Sequence, residues 1–329
     1  ALEAEVAEVL GRRRYERSEE FNGYRNGYGK RRKVTVGSGT MELRAPRVRD
    51  SLEPFDSQIL RKYQRQSDSV KELIPELYLH GLATGDFELT LRGLLGDGAS
   101  LSPASVTRLK EKWEGEYETW RKRSLADHRY VYLWCDGIYP KAGVVGDKMA
   151  LLVVLGLNEN GQKEPLAIFE GYRESSESWG FVLRDLKERG MNCTCLVVGD
   201  GNLGIWGALA NIYPEALEQR CWNHKMVNVL DKLPKKLQGQ ATRHLQDIVY
   251  AETREAAEAE RDDFVHWCRA EGYRSAGETL VRDWDRMMTF YRFPQEHWRH
   301  LRTTNVVESP FAGLRLRTDA AKRYKKVEN

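Results

Sequence analysis

Apolar and polar positions follow different periods in different parts of this chain. Between Ser67 and His80, Val70, Leu73, Ile74, Leu77 and Leu79 fall at mostly helical spacing, and Gly81 stops the run. Phe87 to Leu95 reads as a second short helix, and Gly96-Asp97-Gly98 breaks the chain. Ser102 as N-cap and Pro103 at the first helical position then open a long helix through Val106, Leu109 and Trp113 toward Trp120. A short helix, a glycine turn and a capped helix give the outline of a helix-turn-helix, and equally that of a plain helical bundle.

From Tyr130 the period changes. Tyr132 to Ile138, Met149 to Leu157 and Glu164 to Gly171 are apolar runs rich in β-branched and aromatic residues, and Asn158-Glu159-Asn160-Gly161 supplies a hairpin turn. Glu177 to Arg189 is amphipathic with Trp179, Val182, Leu183 and Leu186 on one face. A fourth strand, Thr194 to Val198, leads to Asp200, a helix follows over Leu203 to Ile212, and Leu217 to Trp222 forms a fifth short strand. Three antiparallel strands followed by alternating helix and strand is the order of a ribonuclease H-like α/β fold, a mixed five-stranded sheet in which the first and fourth strands are neighbours. Asp136, in the run VYLWCDGIY, and Asp200, 64 positions later, would then meet at one sheet edge. A carboxylate at the end of a buried strand is costly unless it is paired or holds a metal. Capping a loop is the commoner fate of such a residue.

After Asn223 the pattern is helical to about Leu301, with helices expected over Asp231 to Leu237, Thr242 to Ala251, Thr253 to Ala270 and Ala276 to Phe290. This stretch reads as an all-α insertion. In the segment that follows, RTTNVVESPFAGLRLR, Thr304 or Asn305 can cap a helix that carries Glu308 in its first turn, with Pro310 tolerated there.

Charge changes the picture at the two ends. Residues 11–49 hold twelve Lys or Arg against four Glu, and residues 299–326 hold eight against two acidic residues, although the net charge of all 329 residues is only +3. Basic ends around a more acidic body suit a polyanion such as DNA, because neutralising phosphates releases counterions; solvated tails are the plain alternative. The first basic stretch, with Arg12, Arg13, Arg14, Arg25, Lys30, Arg31, Arg32 and Lys33, interleaves tyrosines that can stack on bases. It precedes a small hairpin of Lys33 to Val36 and Met41 to Arg44. With 41% hydrophobic residues the chain can bury a sizeable core, and no apolar run approaches the roughly 20 residues that span a bilayer. Five cysteines without repeated paired spacing argue against a disulfide framework and fit a reducing cytoplasm. The initial Ala points to processing or trimming.

The strings CDGIY (135–139), VVGDGNLGIW (197–206), QRCWNHKMVNVLDKLPK (219–235), FYRFPQEHWRHLRTTNVVES (290–309) and FAGLRLRT (311–318) closely resemble the bacterial Mutator-like insertion-sequence transposases, members of the DDE transposase superfamily. The resemblance runs from about Gly11 to the end of the chain; family members generally continue beyond Lys326, so a C-terminal piece is expected to be absent. It implies a ribonuclease H-like catalytic core interrupted by a helical insertion, and it places the DDE triad on Asp136, Asp200 and Glu308. It also implies that Cys221 and His224 act close to the active site, orienting DNA or the second aspartate; core packing and a zinc site are the competing readings, the latter weakened because a structural zinc needs four ligands.

Those three residue types suit the chemistry independently. In-line phosphoryl transfer needs an activated attacking oxygen and a stabilised leaving oxygen, which two divalent ions supply. Hard oxygen ligands favour Mg²⁺, with Mn²⁺ as a substitute. Asp136 would bridge both ions, with Asp200 on one and Glu308 on the other. Water would free a 3′ hydroxyl, and that hydroxyl would then attack another strand. Arg315 and Arg317, about two turns after Glu308, and Lys322 and Arg323 are further candidates for phosphate contact, and Asn305 for support of the site. Trp206, Trp222 and Trp298 are core residues or base-stacking platforms. The expected organisation is a basic arm (1–55), a helical DNA-binding region (56–126), the first part of the core (127–222), the insertion (223–301) and the core's last helix (302–329). The expected partners are double-stranded DNA, as terminal inverted repeats and target, and a second copy of the chain in a homodimer. No membrane is expected, and the location is the bacterial cytoplasm, on nucleoid DNA. A nuclease without strand transfer and a DNA-binding protein with structural carboxylates are the alternatives.

Overall fold

The computed structural model describes residues 1–19, 21–51, 54–83, 85–97, 99, 103–139, 149–172, 175–201, 203–307 and 311. Two units, residues 1–114 and 115–329, each hold their own core. In the first, helix α1 (Leu2–Leu10) stops where Gly11 takes a left-handed φ of 63°. Strands β1 (Tyr24–Tyr28), β2 (Arg32–Val36), β3 (Gly39–Leu43) and β4 (Pro46–Arg49) form two antiparallel pairs, β1 with β4 and β2 with β3. The predicted hairpin is therefore present, with its second strand starting earlier, at Gly39.

Helices α2 (Asp68–Leu79), α3 (Phe87–Leu95) and α4 (Pro103–Arg121) follow. Ser67 caps α2 by accepting from the Val70 amide. Val70, Ile74 and Tyr78 of α2 pack on Phe87, Leu91 and Leu95 of α3 and on Val106 of α4. The proposed cap of α4, Ser102, lies outside the described residues.

The second unit is built on five strands: β5 (Tyr130–Ile138), β6 (Met149–Asn158), β7 (Lys163–Tyr172), β8 (Cys193–Gly199) and β9 (Leu217–Arg220). Their order is β7-β6-β5-β8-β9, with β5–β6 and β6–β7 antiparallel and β5–β8 and β8–β9 parallel. This mixed sheet is compatible with a ribonuclease H-like arrangement. The tight β6–β7 connection comes from Asn158, whose Oδ1 accepts from the amides of Asn160 and Gln162, and from Gly161 at φ 76°. The parallel pairs need crossovers, supplied by α5 (Ser176–Glu188) and α6 (Leu203–Ile212). At the outer strand, the carbonyls of Pro165, Leu166 and Ile168 accept from Arg123 Nη2, Arg189 Nη2 and Tyr117 Oη.

Strand alternation sorts the core onto two faces. Leu133 and Cys135 of β5 and Val197 of β8 face α5 and α6, meeting Trp179, Leu183, Trp206 and Leu209. Tyr132, Trp134 and Ile138 of β5 and Leu196 and Val198 of β8 face the helical half of the unit. That half comprises α7 (Trp222–Leu230), α8 (Lys235–Tyr250), α9 (Arg254–Ala270), α10 (Arg274–Val281), α11 (Trp284–Met287) and α12 (Trp298–Leu301).

Two expected helices are corrected here. The helix expected over Asp231 to Leu237 begins only at Lys235, as the start of α8, because Pro234 is extended (φ −66°, ψ 149°) and disfavours helical backbone at the residue before it. The helix expected over Ala276 to Phe290 is split, because Asp283 takes a left-handed φ of 67° between α10 and α11. The fifth strand ends at Arg220, and Trp222 already belongs to α7.

Candidate active site

The β5–β8 register places Cys135 opposite Gly199, so Asp136 and Asp200 each stand one residue further along neighbouring parallel strands, which run about 4.8 Å apart. Asp136 alternates with Trp134 and Ile138, and Asp200 with Val198. Both carboxylates therefore belong to the face covered by α7–α12. Asp136 is 8% exposed and Asp200 more open. The Gly137 amide donates to Asp136 Oδ1 (2.9 Å) and the Gly201 amide to Asp200 Oδ1 (2.6 Å), so each strand end orients its own carboxylate.

Helix α7 begins beside them. Cys221 is its N-cap residue, and Trp222 anchors it through a backbone bond to the Arg302 carbonyl (2.8 Å). His224, one turn in, places Nδ1 3.9 Å from Asp200 Oδ1, close enough for attraction though too far for a hydrogen bond. Its pKa is raised to about 9, first by the Cys221 sulfur, against the effect of burial, and further by Asp200 and Asp136. Burial alone would push the Cys221 thiol up, but His224 and Thr304 hold it below its ordinary value. The Thr304 amide and hydroxyl both point at Sγ, at 3.3 and 3.5 Å. Cys221 and His224 thus form a polar buttress between α7 and the segment that leads to residue 308.

That segment is fixed as far as it is described. Asn305 Oδ1 accepts from Asn223 Nδ2 (2.6 Å), the Val307 amide donates to the Thr304 carbonyl (2.8 Å), and Val307 is buried on the same face as the two aspartates. Glu308 itself, with Arg315, Arg317, Lys322 and Arg323, lies outside the described residues. Among the described residues no group of three or more His, Cys, Asp or Glu side chains is placed to hold a metal. The donor chemistry at 136 and 200, two carboxylates on one face of adjacent strands, fits a hard divalent cation.

Sequence reasoning missed what supports this site. Gln219 is fully buried, donating from Nε2 to the carbonyls of Arg220 and Met287 and accepting from the Phe290 amide. Arg220 Nη1 donates to Asp283 Oδ2 (2.5 Å), and Lys225 Nζ donates to the Arg282 carbonyl and lies 3.9 Å from that same carboxylate oxygen. One signal was available: Trp222, Lys225 and Val229 share the buried stripe of α7, so a lysine had to be inside. Burial, then Arg220, lower the Lys225 pKa to about 8 against the pull of Asp283. The folded chain therefore binds that proton less tightly than the unfolded one, and stability should rise as the pH climbs from about 8 toward 10.5. In denaturant melts at pH 7.5 and 9.5, Lys225→Met is expected to flatten that rise; an unchanged difference from wild type would place the charge elsewhere.

The other candidates divide. Trp206 and Trp222 are core residues, whereas Trp298 is partly buried with Nε1 bonded to the Phe293 carbonyl. In the first unit, Arg12 donates to the Gly23 carbonyl, Arg25 to Glu3 and to the Arg12 carbonyl, and Arg32 to the Leu60 carbonyl, so these three arginines help to hold the fold. Arg31 lies 3.8 Å from Glu42 in an exposed pair, and Arg14 packs over the Tyr15 ring. Arg13 and Lys33 are exposed. A groove there is lined by Lys30, Arg32, Arg47 and Lys62 together with Asp56. No helix among the described residues is long and apolar enough to cross a membrane.

Comparison with known proteins shows the family. Residues 1–326 match the family described as "Transposase, Mutator family". The transposase for insertion sequence element IS6120 of Mycolicibacterium smegmatis is 45% identical over 253 residues, covering 77% of this chain and 78% of the relative. The transposase for insertion sequence element IST2 of Acidithiobacillus ferrooxidans is 44% identical over 70% of this chain and 78% of its own length. That for ISRM5 of Rhizobium meliloti is 30% identical across 100% of this chain and 81% of the relative. With the match running through both units, this chain belongs to the Mutator family of transposases, in its bacterial insertion-sequence branch.

Proposed function

We propose that this protein cleaves and joins DNA strands at the ends of an insertion sequence, using divalent metal held by Asp136, Asp200 and Glu308. The observation that carries the proposal is the register one step beyond Cys135 and Gly199, which sets two carboxylates side by side on one face of a ribonuclease H-like sheet. When bound, Mg²⁺ ions would activate the attacking oxygen and stabilise the leaving one. Asp136, between the strands that carry Val153 and Gly199, and Asp200 beside it would hold the metal. Glu308, which follows in sequence the segment pinned by Thr304 and Asn305, would complete the set. His224, in contact range of Asp200, balances the carboxylates' charge before metal arrives. The helical half of the second unit is the insertion within the catalytic core. The groove with Lys30, Arg47 and Lys62, and the exposed Arg13, Arg14 and Lys33, offer phosphate contacts for the terminal inverted repeats. Two ends must be brought together, which favours a homodimer on DNA.

Labelled duplex oligonucleotides carrying a candidate terminal repeat test this. With Mg²⁺ the protein is expected to nick at the repeat and join the freed 3′ end to a second duplex. Binding with no cleavage in Mg²⁺ or Mn²⁺ would sink the catalytic reading, and nicking without joining would reduce it to a nuclease.

A further inference from the structure

The tightest steric constraint near the site is at Gly201, directly after Asp200. A Cβ built there would stand 1.8 Å from Arg220 Nε and 2.0 Å from Arg220 Cζ, well inside any non-bonded contact. Arg220 is not a loose surface side chain that could step aside. It closes β9, pairs with Gly199 across the parallel ladder, and is 8% exposed. Its Nη1 is bonded to Asp283, which sits in a left-handed turn, 3.9 Å from Lys225 and 3.8 Å from Arg286. The guanidinium thus occupies the space that any side chain at 201 would need. The amide of that same Gly201 donates to Asp200 Oδ1 at 2.6 Å, so where residue 201 lies decides where the carboxylate points.

We propose that Arg220 is a positioning residue for Asp200: anchored by Asp283, it forms the wall against which the 200–201 turn closes, and so fixes the carboxylate in its metal-binding orientation. The proposal rests on the reading of Asp200 as a metal ligand. Groups that orient a ligand set metal affinity without touching the metal, and their loss costs about 10–100-fold. A buried guanidinium suits the task because its planar, charge-paired head is held in place at a fixed distance, where an aliphatic side chain could repack.

The test uses the full chain and Mn²⁺ alone as probe, read by the electron paramagnetic resonance signal of free Mn²⁺, with cleavage of a labelled duplex measured in parallel. Arg220→Ala is expected to weaken Mn²⁺ binding by about 10–100-fold and to recover most of its cleavage rate at saturating Mn²⁺. Gly201→Ala should lose Mn²⁺ binding as well. Combining it with Arg220→Ala should restore part of that loss, because the clash is gone; additive losses would overturn the wall. Unchanged Mn²⁺ affinity in Arg220→Ala would also overturn the proposal. Asp200→Asn separates the two readings. It should lose tight Mn²⁺ binding with no rescue by excess metal, and wild-type behaviour there would remove the metal assignment itself. If circular dichroism shows Arg220→Ala unfolded, Asp283→Gly carries the test, since glycine tolerates the left-handed backbone at 283 and removes the carboxylate that holds the guanidinium. A several-fold loss of Mn²⁺ affinity supports the wall, and no loss overturns it.

Discussion

Replacing Asp136 with asparagine is expected to slow metal-dependent DNA strand cleavage by about 10³-fold or more and to leave DNA affinity nearly intact. The size follows from what the carboxylate would do. As a metal ligand it would hold the ions whose charge is worth several kcal/mol of transition-state stabilisation, and each 1.36 kcal/mol is a factor of ten in rate. The fold has little reason to object. Asparagine is nearly isosteric, its Oδ1 can keep the bond from the Gly137 amide, and it removes one of two neighbouring negative charges from a mostly buried face. The metal-free variant should therefore melt at or above the wild-type temperature. A cleavage rate within a few-fold of wild type, measured on labelled duplex with Mg²⁺, would return Asp136 to an ordinary position in the core.

The largest stability loss is expected from Trp222→Ala. This indole is fully buried, packs edge-on to Trp284 with ring centroids 6.2 Å apart, and donates from Nε1 to the Met287 carbonyl (3.2 Å). Truncating a buried tryptophan costs about 3–5 kcal/mol through lost burial and the cavity left behind. In a unit of this size that lowers the melting temperature by roughly 6–20 °C, readable by differential scanning calorimetry. Trp222→Phe is the informative companion. It keeps a ring in the space, and the Met287 carbonyl still accepts from Gln219 Nε2 at 3.0 Å, so the loss should be far smaller. Equal losses for the two variants would mean that the ring's volume is not what holds this junction.

The sheet was legible in the chain because its strands are buried on both faces: a run such as YVYLWCDGI has few other uses, and an acidic residue at its end stands out. The neighbouring placement of Asp136 and Asp200 followed from strand order alone. What supports them was not legible. Arg220, Lys225 and Asp283 are charges, which a pattern of apolar positions assigns to the surface, and the burial of Arg220 and Lys225 depends on pairing with the half-buried Asp283, up to 63 positions away. The split between α10 and α11 was hidden for a related reason. Asp283 adopts a left-handed backbone there, a conformation that no apolar period reports. Pro234 marks a helix break that the apolar residues around it mask.

The outer edge of β7 has a consequence for how two copies of the chain can meet. Exposed strand edges invite another chain to add a strand, and folded proteins guard against it. Here three carbonyls of that edge are already occupied by Arg123, Arg189 and Tyr117, and Pro165 has no amide to offer. Continuous sheet growth through this border is closed off, so the chain is protected from edge-to-edge aggregation on that side. A homodimer, if one forms, would not pair its sheets through β7.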